Sequence, residues 1–238
     1  MTPSSQIGDS RLIVALDLPT RAEAEAMVER LGDAVSFYKI GLQLLATGGM
    51  EMARDLKARG RQVFLDWKLH DIGATVEKAA AAIAATGAGD LLTVHAEPQV
   101  LASAVKGCKG SGLRVLGVTV LTSLSGQDLG QIGYSLGVGD LVRRRIGQAL
   151  DAGADGVVAS PHEAALARQL AKELGSPDFL VVTPGVRPVW AGADDQARAA
   201  TPADALSNGA SHLVVGRPIT AAIDPRAAAL ALVDEMRG

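Results

Sequence analysis

Eight short apolar runs, rich in β-branched residues, recur along the 238-residue chain and constrain its fold most strongly. They cover residues 11–17, 35–40, 62–67, 90–95, 113–120, 155–160, 178–183 and 211–216. Each run is continuously apolar rather than alternating, which is typical of parallel strands covered on both faces. The stretches between the runs are rich in Ala, Leu, Glu and Arg and have helical character. The pattern therefore predicts eight successive strand–helix units.

Local signals mark where the helices begin and end. Thr20 followed by Glu23, and Ser160 followed by Glu163, predict capping boxes. Three prolines directly follow a capping residue and are predicted at first helical positions: Pro161, Pro202 and Pro225. Seven glycines are predicted to end helices: Gly32, Gly60, Gly87, Gly107, Gly153, Gly175 and Gly209.

We expect one (β/α)₈ barrel domain over residues 1–238, with residues 1–10 as a flexible N-terminal segment, since eight units of this total length are typical of that fold. An open doubly wound sheet is the alternative. The strand count and the lack of a G-x-G-x-x-G motif after the first strand weigh against it.

Composition narrows the functional classes. The net charge of -3 gives no support for a nucleic-acid or polybasic membrane surface. No apolar run is long enough to span a bilayer, and the first ten residues lack the apolar core of a secretion signal. The single cysteine, Cys108, excludes an intrachain disulfide and a cysteine-based zinc site. We therefore expect a cytoplasmic protein with neither nucleic-acid nor membrane partners.

Polar residues gather where the predicted strands end, which is where barrel enzymes place their active sites. These residues are Asp17, Lys39, Asp66, Lys68, Asp71, His95, Thr122, Ser123, Arg187, Gly216 and Arg217. Buried unpaired charge is costly, so a barrel has no structural need to collect it at one end. The arrangement favours a catalytic site over isolated surface salt bridges.

Asp66 and Lys68 are two residues apart, so on a strand they face the same side, while Trp67 faces the other. Lys39 can meet them from the neighbouring strand, and Asp71 is a possible fourth member. Nearby carboxylates favour the ammonium form of lysine, whereas an imine-forming lysine must be neutral. This predicts Lys68 as a general acid.

The last two predicted strands indicate an anion site. Gly216 allows close approach of backbone to a ligand, and Arg217 offers a bidentate fork, with Arg187 as a second contact. Residues 183–198, rich in Pro and Gly, are expected to form a lid, with a plain surface loop as the alternative. Arg198 and residues 143–145 are expected to be solvated surface charges.

The sequence gives weak support for a metal site. The histidines, His70, His95, His162 and His212, have no metal-ligand spacing, and His162 and His212 are expected to be structural or solvated. The aspartates at the strand ends could bind Mg²⁺, yet Lys39 and Lys68 already neutralise them.

Several segments together resemble the orotidine 5′-phosphate decarboxylase family. The stretch "LDWKLHDIGATV" is similar to its D-x-K-x-x-D signature, which a wider group of phosphosugar barrels shares. Five further segments occur in the family's order: "VALDLP", "FYKIG", "VTVLTSL", "VTPGVRP" with "DDQAR", and "LVVGRPI". The resemblance runs from about residue 11 to residue 219. The chain departs from the family at Gly73-Ala74 and in the segment "HAEPQ" after strand four.

This resemblance implies cofactor-independent and metal-independent loss of CO₂ from C6 of orotidine 5′-phosphate, giving uridine 5′-phosphate in de novo pyrimidine biosynthesis. Lys68 would protonate C6, and a homodimer would share its active sites, with Asp71 contributed by the second subunit. The implied charged array is Lys39, Asp66, Lys68 and Asp71. The implied substrate contacts are Asp17 and Thr75 to the ribose, Thr122 to the pyrimidine, and Arg187, Gln196 and Arg217 to the phosphate.

Two alternatives stay open. A Mg²⁺-dependent hexulose-phosphate synthase or keto-gulonate-phosphate decarboxylase shares D-x-K-x-x-D, but such enzymes typically carry a glutamate where this chain has Lys39. A non-catalytic nucleotide-binding barrel would keep Arg217 and the lid while being free to lose Lys68 or Asp66.

Overall fold

The computed structural model describes residues 8–190 and 200–238. Eight parallel strands close into a barrel in sequential order, with β8 pairing back onto β1. The strands are β1 Leu12–Ala15, β2 Phe37–Gly41, β3 Gln62–Leu69, β4 Leu91–His95, β5 Arg114–Val118, β6 Gly156–Val158, β7 Leu180–Pro184 and β8 His212–Val215. The predicted (β/α)₈ fold is confirmed. Each strand overlaps its predicted apolar run, and β2, β3 and β7 extend one or two residues beyond it.

Helices follow the strands around the outside of the barrel. They are α1 Arg21–Leu31, α2 Leu42–Leu45, α3 Gly49–Ala58, α4 Gly73–Ala85, α5 Pro98–Cys108, α6 Gly126–Ile132, α7 Val138–Asp151, α8 Ala164–Glu173, α9 Pro202–Ser207, α10 Arg217–Thr220 and α11 Pro225–Arg237. Within the described ranges, no helix combines the length and apolar character needed to cross a membrane.

Two apolar layers hold the barrel together because alternate strand residues face inward and outward. The inner layer fills the barrel and consists of Ile13, Ala15, Phe37, Phe64, Leu91, Leu116, Val182 and Val214. The outer layer joins the strands to the helices and includes Trp67, as its predicted orientation requires. The inner layer closes the barrel from within and forms a floor beneath its carboxyl end.

Most of the predicted helix boundaries are confirmed. Thr20 and Glu23 form a capping box on α1, and Pro202 and Pro225 occupy the first positions of α9 and α11. Six of the seven predicted terminal glycines have positive φ angles: Gly32, Gly60, Gly87, Gly153, Gly175 and Gly209.

Gly107 is the penultimate residue of α5, so the helix ends where predicted, but Gly107 has no positive φ angle and does not cap the helix. A Cβ atom there would clash with the backbone carbonyl oxygen of Glu77 on α4. Gly107 therefore permits the close packing of two neighbouring helices, a role that sequence position alone does not distinguish from a helix stop.

The predicted start of α8 was wrong. The helix begins at Ala164, and residues 161–163, including Pro161 and His162, form a turn before it. Glu163 N–H donates to the Ser160 carbonyl at 3.0 Å, and the Glu163 carboxylate accepts from Ser160 N–H at 2.9 Å. These bonds close the turn that precedes the helix.

Candidate active site

A cavity of about 630 Å³ opens at the carboxyl ends of the strands. Eight of the predicted site residues line it: Asp17, Lys39, Asp66, Lys68, Thr122, Arg187, Gly216 and Arg217. They come from six strands or the loops that follow them, so the barrel brings together residues spread over 200 positions of the chain.

The charged side of this cavity follows from strand periodicity. Phe37, Phe64 and Leu91 belong to the inner apolar layer. Two residues further along each strand, the inward position is taken by Lys39, Asp66 and Thr93, respectively. A polar layer thus lies directly above the apolar floor.

Lys39, Asp66 and Lys68 form a chain of ion pairs at short distances. Lys39 Nζ lies 2.9 Å from Asp17 Oδ1 and 3.3 Å from Asp66 Oδ2, while Lys68 Nζ lies 2.8 Å from Asp66 Oδ1. The Lys39 side chain is only 9% exposed and that of Asp66 13%, whereas Lys68 is 28% exposed. Of the two lysines, Lys68 is therefore the one that a bound molecule can reach more easily.

Asp66 stays ionised although it is buried. Burial acts to raise the pKa of its carboxyl group, but the charges of Lys39 and Lys68 and hydrogen bonds from Lys68 and Thr93 outweigh burial and bring the pKa below its usual value. The fixed negative charge of Asp66 holds the Lys68 Nζ atom at 2.8 Å.

Gly41 provides the space for the Lys39–Asp17 pair. A Cβ atom at Gly41 would lie 2.5 Å from Asp17 Oδ1 and 3.0 Å from Lys39 Nζ. Any side chain at this position would push the two charged groups apart.

The backbone of Lys68 is unusual. Its φ angle is 50°, the one positive value among the non-glycine residues of the described chain. A left-handed non-glycine residue costs about 1–3 kcal/mol unless its surroundings fix it. The pairing of β3 with β4 is interrupted at the same place, between Leu65 and Leu69. This irregularity aims the Lys68 side chain into the cavity, and no sequence signal predicted it.

Thr93 is the polar neighbour of this array that the sequence analysis missed. It is fully buried, and its Oγ1 atom lies 3.0 Å from both Lys68 N and Asp66 Oδ1. The available signal was a lone hydroxyl in the apolar run "DLLTVH", on the same strand face as Leu91.

Two predicted residues lie outside the cavity of their own chain. Asp71 and Thr75 are exposed in the β3–α4 loop and the first turn of α4 and do not line the cavity. Asp66 is the carboxylate that Lys68 contacts within its own chain. Gln196 lies outside the described residues.

The opposite side of the cavity carries Arg187 and Arg217. Arg217 opens α10, and Arg187 follows β7 where its N–H donates to the Ala200 carbonyl at 3.0 Å. Of the predicted lid, the structure describes residues 183–190, which end with Val189 and Trp190 exposed to 78% and 47%. Residues 191–198, with Arg198 among them, lie outside the described chain.

The prediction that residues 143–145 are solvated was wrong for Arg145, which is buried. Its guanidinium donates to Tyr134 Oη at 2.7 Å and to the Thr119 carbonyl, and lies 3.8 Å from Glu97. Glu97 belongs to the "HAEPQ" segment in which the chain departs from the family. The contacts come from separate elements, so the sequence around Arg145 did not indicate its burial.

Three of the histidines, His70, His95 and His212, contact neighbouring side chains. His95 stacks on His70 with ring centroids 4.7 Å apart, and His70 Nε2 lies 3.0 Å from Glu97 Oε2. Burial lowers the pKa of His212 to about 4, and its ring packs edge-on against Phe37. Within the described residues no cluster of three or more His, Cys, Asp or Glu side chains has the arrangement of a metal site.

Comparisons with known proteins agree with this geometry. The chain is 66% identical over 230 residues to orotidine 5′-phosphate decarboxylase of Caulobacter vibrioides strain NA1000, covering 97% of this chain and 98% of that protein. It is 54% identical over 232 residues to the enzyme of the same name from Cereibacter sphaeroides, with coverage of 97% and 98%.

A solved structure agrees as well. The crystal structure of orotidine 5′-phosphate decarboxylase from Lactobacillus acidophilus superposes with a TM-score of 0.82 at 37% identity, covering 97% of this chain and 100% of that one. The sequence profile of the "Orotidine 5'-phosphate decarboxylase / HUMPS family" matches residues 10–232. The chain belongs to this family.

Proposed function

We propose that this protein decarboxylates orotidine 5′-phosphate to uridine 5′-phosphate in pyrimidine biosynthesis, without a metal ion or organic cofactor. The observation that carries the proposal is the ion-paired Lys39–Asp66–Lys68 array inside the barrel cavity. Relatives that match nearly the whole chain are named orotidine 5′-phosphate decarboxylase. A cytoplasmic location stays a prediction.

The reaction needs a group that stabilises negative charge on C6 of the pyrimidine and a group that donates one proton to the same atom. The bond from C6 of the pyrimidine to its carboxyl group breaks, CO₂ leaves, and the electron pair remains on C6. The ammonium group of Lys68, fixed 2.8 Å from Asp66, stabilises that developing charge and donates a proton to C6. The negative charge of Asp66 would also repel the substrate carboxylate and so raise the free energy of the bound substrate.

The remaining cavity residues would bind parts of the substrate that do not react. Arg187, Arg217 and the backbone at Gly216 suit the phosphate, Asp17 the ribose hydroxyls and Thr122 the pyrimidine. Gln196 and Thr75 complete the proposed contacts to phosphate and ribose. Binding energy gathered at the phosphate can position the distant reacting base.

A Mg²⁺-dependent phosphosugar enzyme of the same wider family is the second candidate. Lys39 argues against it, since its ammonium group contacts both Asp17 and Asp66 and would compete with a cation for their oxygens. A non-catalytic nucleotide-binding barrel is disfavoured by the intact Asp66–Lys68 pair.

An absorbance assay distinguishes these candidates. We expect the absorbance of orotidine 5′-phosphate to change to that of uridine 5′-phosphate on adding enzyme, at the same rate with and without EDTA, because the proposed chemistry uses only side chains. In a parallel assay the same enzyme is given keto-gulonate-phosphate and Mg²⁺, and no turnover is expected. Absence of decarboxylation, or decarboxylation that requires added Mg²⁺, would overturn the proposed function.

The position of Asp71 supports a dimer with shared active sites. Asp71 is exposed and is followed by Ile72, whose apolar side chain is 70% exposed. Leu42, beside the cavity, is 56% exposed. Ile72 and Leu42 both follow strand ends on the side of the barrel where the cavity opens, and a second subunit that covers them could present its Asp71 to Lys68.

Mixing two inactive variants tests the shared site. Lys68→Ala and Asp71→Ala proteins should each be inactive, yet a mixture should recover about a quarter of wild-type activity, because half of the randomly re-formed two-fold dimers are hybrids with one intact site of two. Differently tagged subunits allow the hybrid dimer to be isolated and assayed. An inactive purified hybrid would contradict the shared site.

A further inference from the structure

We infer that Thr93 is a positioning residue that sets the relative placement of Lys68 and Asp66 for the reaction proposed above. Its hydroxyl joins the backbone of one residue to the side chain of the other, at a point where the normal strand pairing is interrupted. The inference rests on the proposed function for its catalytic consequence.

The interruption leaves the Lys68 backbone without its usual strand partner. Leu65 pairs with Leu92 and Leu69 with Val94, so three residues of β3 face the single residue Thr93 of β4. Lys68 lies within this bulge with its φ angle of 50°. Its N–H donates to Thr93 Oγ1 at 3.0 Å instead of to a backbone carbonyl.

The direction of each hydrogen bond at Thr93 is fixed by chemistry. A backbone N–H can only donate, so Oγ1 accepts from Lys68. The ionised Asp66 carboxylate can only accept, so the same hydroxyl donates to Asp66 Oδ1 at 3.0 Å. That oxygen also accepts from Lys68 Nζ at 2.8 Å. Backbone, hydroxyl, carboxylate and ammonium group thus form a closed ring of three hydrogen bonds.

Burial makes the hydroxyl difficult to replace. Thr93 has no exposed surface, and it lies above Leu91 of the apolar floor. Without the hydroxyl, the Lys68 N–H group would lose its acceptor and Asp66 Oδ1 would lose one of its donors. The bulge would then be free to relax, and the ammonium group would move relative to the reacting atom.

Three substitutions separate the hydroxyl from the shape of the side chain. Thr93→Val keeps the shape and removes the hydroxyl; Thr93→Ser keeps the hydroxyl; Thr93→Cys retains a weaker donor. Thr119→Val is the matched control, since Thr119 is equally buried and its hydroxyl donates to the Val158 carbonyl at 2.9 Å, away from the array.

We expect Thr93→Val to lower kcat on the order of 10- to 100-fold with little change in KM, as for small misplacements of a catalytic group. Thr93→Ser should stay near wild type, Thr93→Cys should fall between, and Thr119→Val should keep the wild-type kcat. A wild-type kcat in Thr93→Val, or an equal loss in Thr119→Val, would overturn the inference. If Thr93→Val does not fold, equal kcat values for Thr93→Ser and Thr93→Cys would overturn the inference.

Urea unfolding tests the contact without substrate. Because Thr93 and Asp66 share a hydrogen bond, the shifts of the unfolding midpoint caused by Thr93→Cys and Asp66→Asn should not add in the double variant. Additive shifts would overturn the inference. A wild-type protein that fails to decarboxylate orotidine 5′-phosphate would instead refute the proposed function, while the unfolding cycle still reports on Thr93.

Discussion

Replacing Lys68 with alanine is expected to lower kcat on the order of 10⁴-fold, the upper range for removing a general acid. The substitution deletes the proposed proton donor, which is the more exposed of the two lysines paired with Asp66. Lys39 cannot take over, because its ammonium group is buried between Asp17 and Asp66 at 2.9 and 3.3 Å.

Binding should largely survive in this variant, since Arg187 and Arg217, the proposed phosphate contacts, lie on the other side of the cavity. Single-turnover decarboxylation and the Kd of uridine 5′-phosphate measure the two effects separately. Lys172→Ala is the control, an exposed lysine near the end of α8 that should keep wild-type kinetics. Turnover by Lys68→Ala near the wild-type rate would remove Lys68 from the proposed role.

Asp66→Asn is expected to lower kcat on the order of 10²- to 10³-fold, comparable to losing one preorganised electrostatic contact. The substitution keeps the size of the side chain but removes the charge that pairs with both lysines. Lys68 then lacks the carboxylate that holds its ammonium group 2.8 Å away. The loss is expected in kcat more than in KM, because the proposed phosphate and ribose contacts are unchanged.

The fold should tolerate this change. Lys39 keeps Asp17 at 2.9 Å, so the loss in free energy of unfolding should stay below the about 3–5 kcal/mol of an uncompensated buried pair. Asp90→Asn is the matched control: Asp90 pairs with Lys57 at 2.7 Å and accepts from Val63 N–H at 2.7 Å, at the start of β4. It should lose stability and keep kcat. An Asp66→Asn enzyme with wild-type kcat would contradict the role of the array.

The barrel could be predicted from the chain because its signals are local. Continuous apolar runs and capping residues act within one element, and they indicated the strands and most helix ends. The same-side placement of Asp66 and Lys68, and the outward placement of Trp67, follow from the two-residue period of a strand. Failures came where a residue's role depends on a neighbouring element, as for Gly107 against α4 and Arg145 against Tyr134 and Thr119.

The sequence by itself determined the eight-fold repeat, the end of the barrel where charge collects and the chemical types of the residues there. Only the tertiary structure decided that β3 bulges opposite Thr93, that Lys68 has a left-handed backbone and that Asp71 lies outside the cavity of its own chain. The physical reason is that these features depend on hydrogen bonds and packing between strands far apart in sequence. A lysine directly after an apolar run carries no local signal for a positive φ angle.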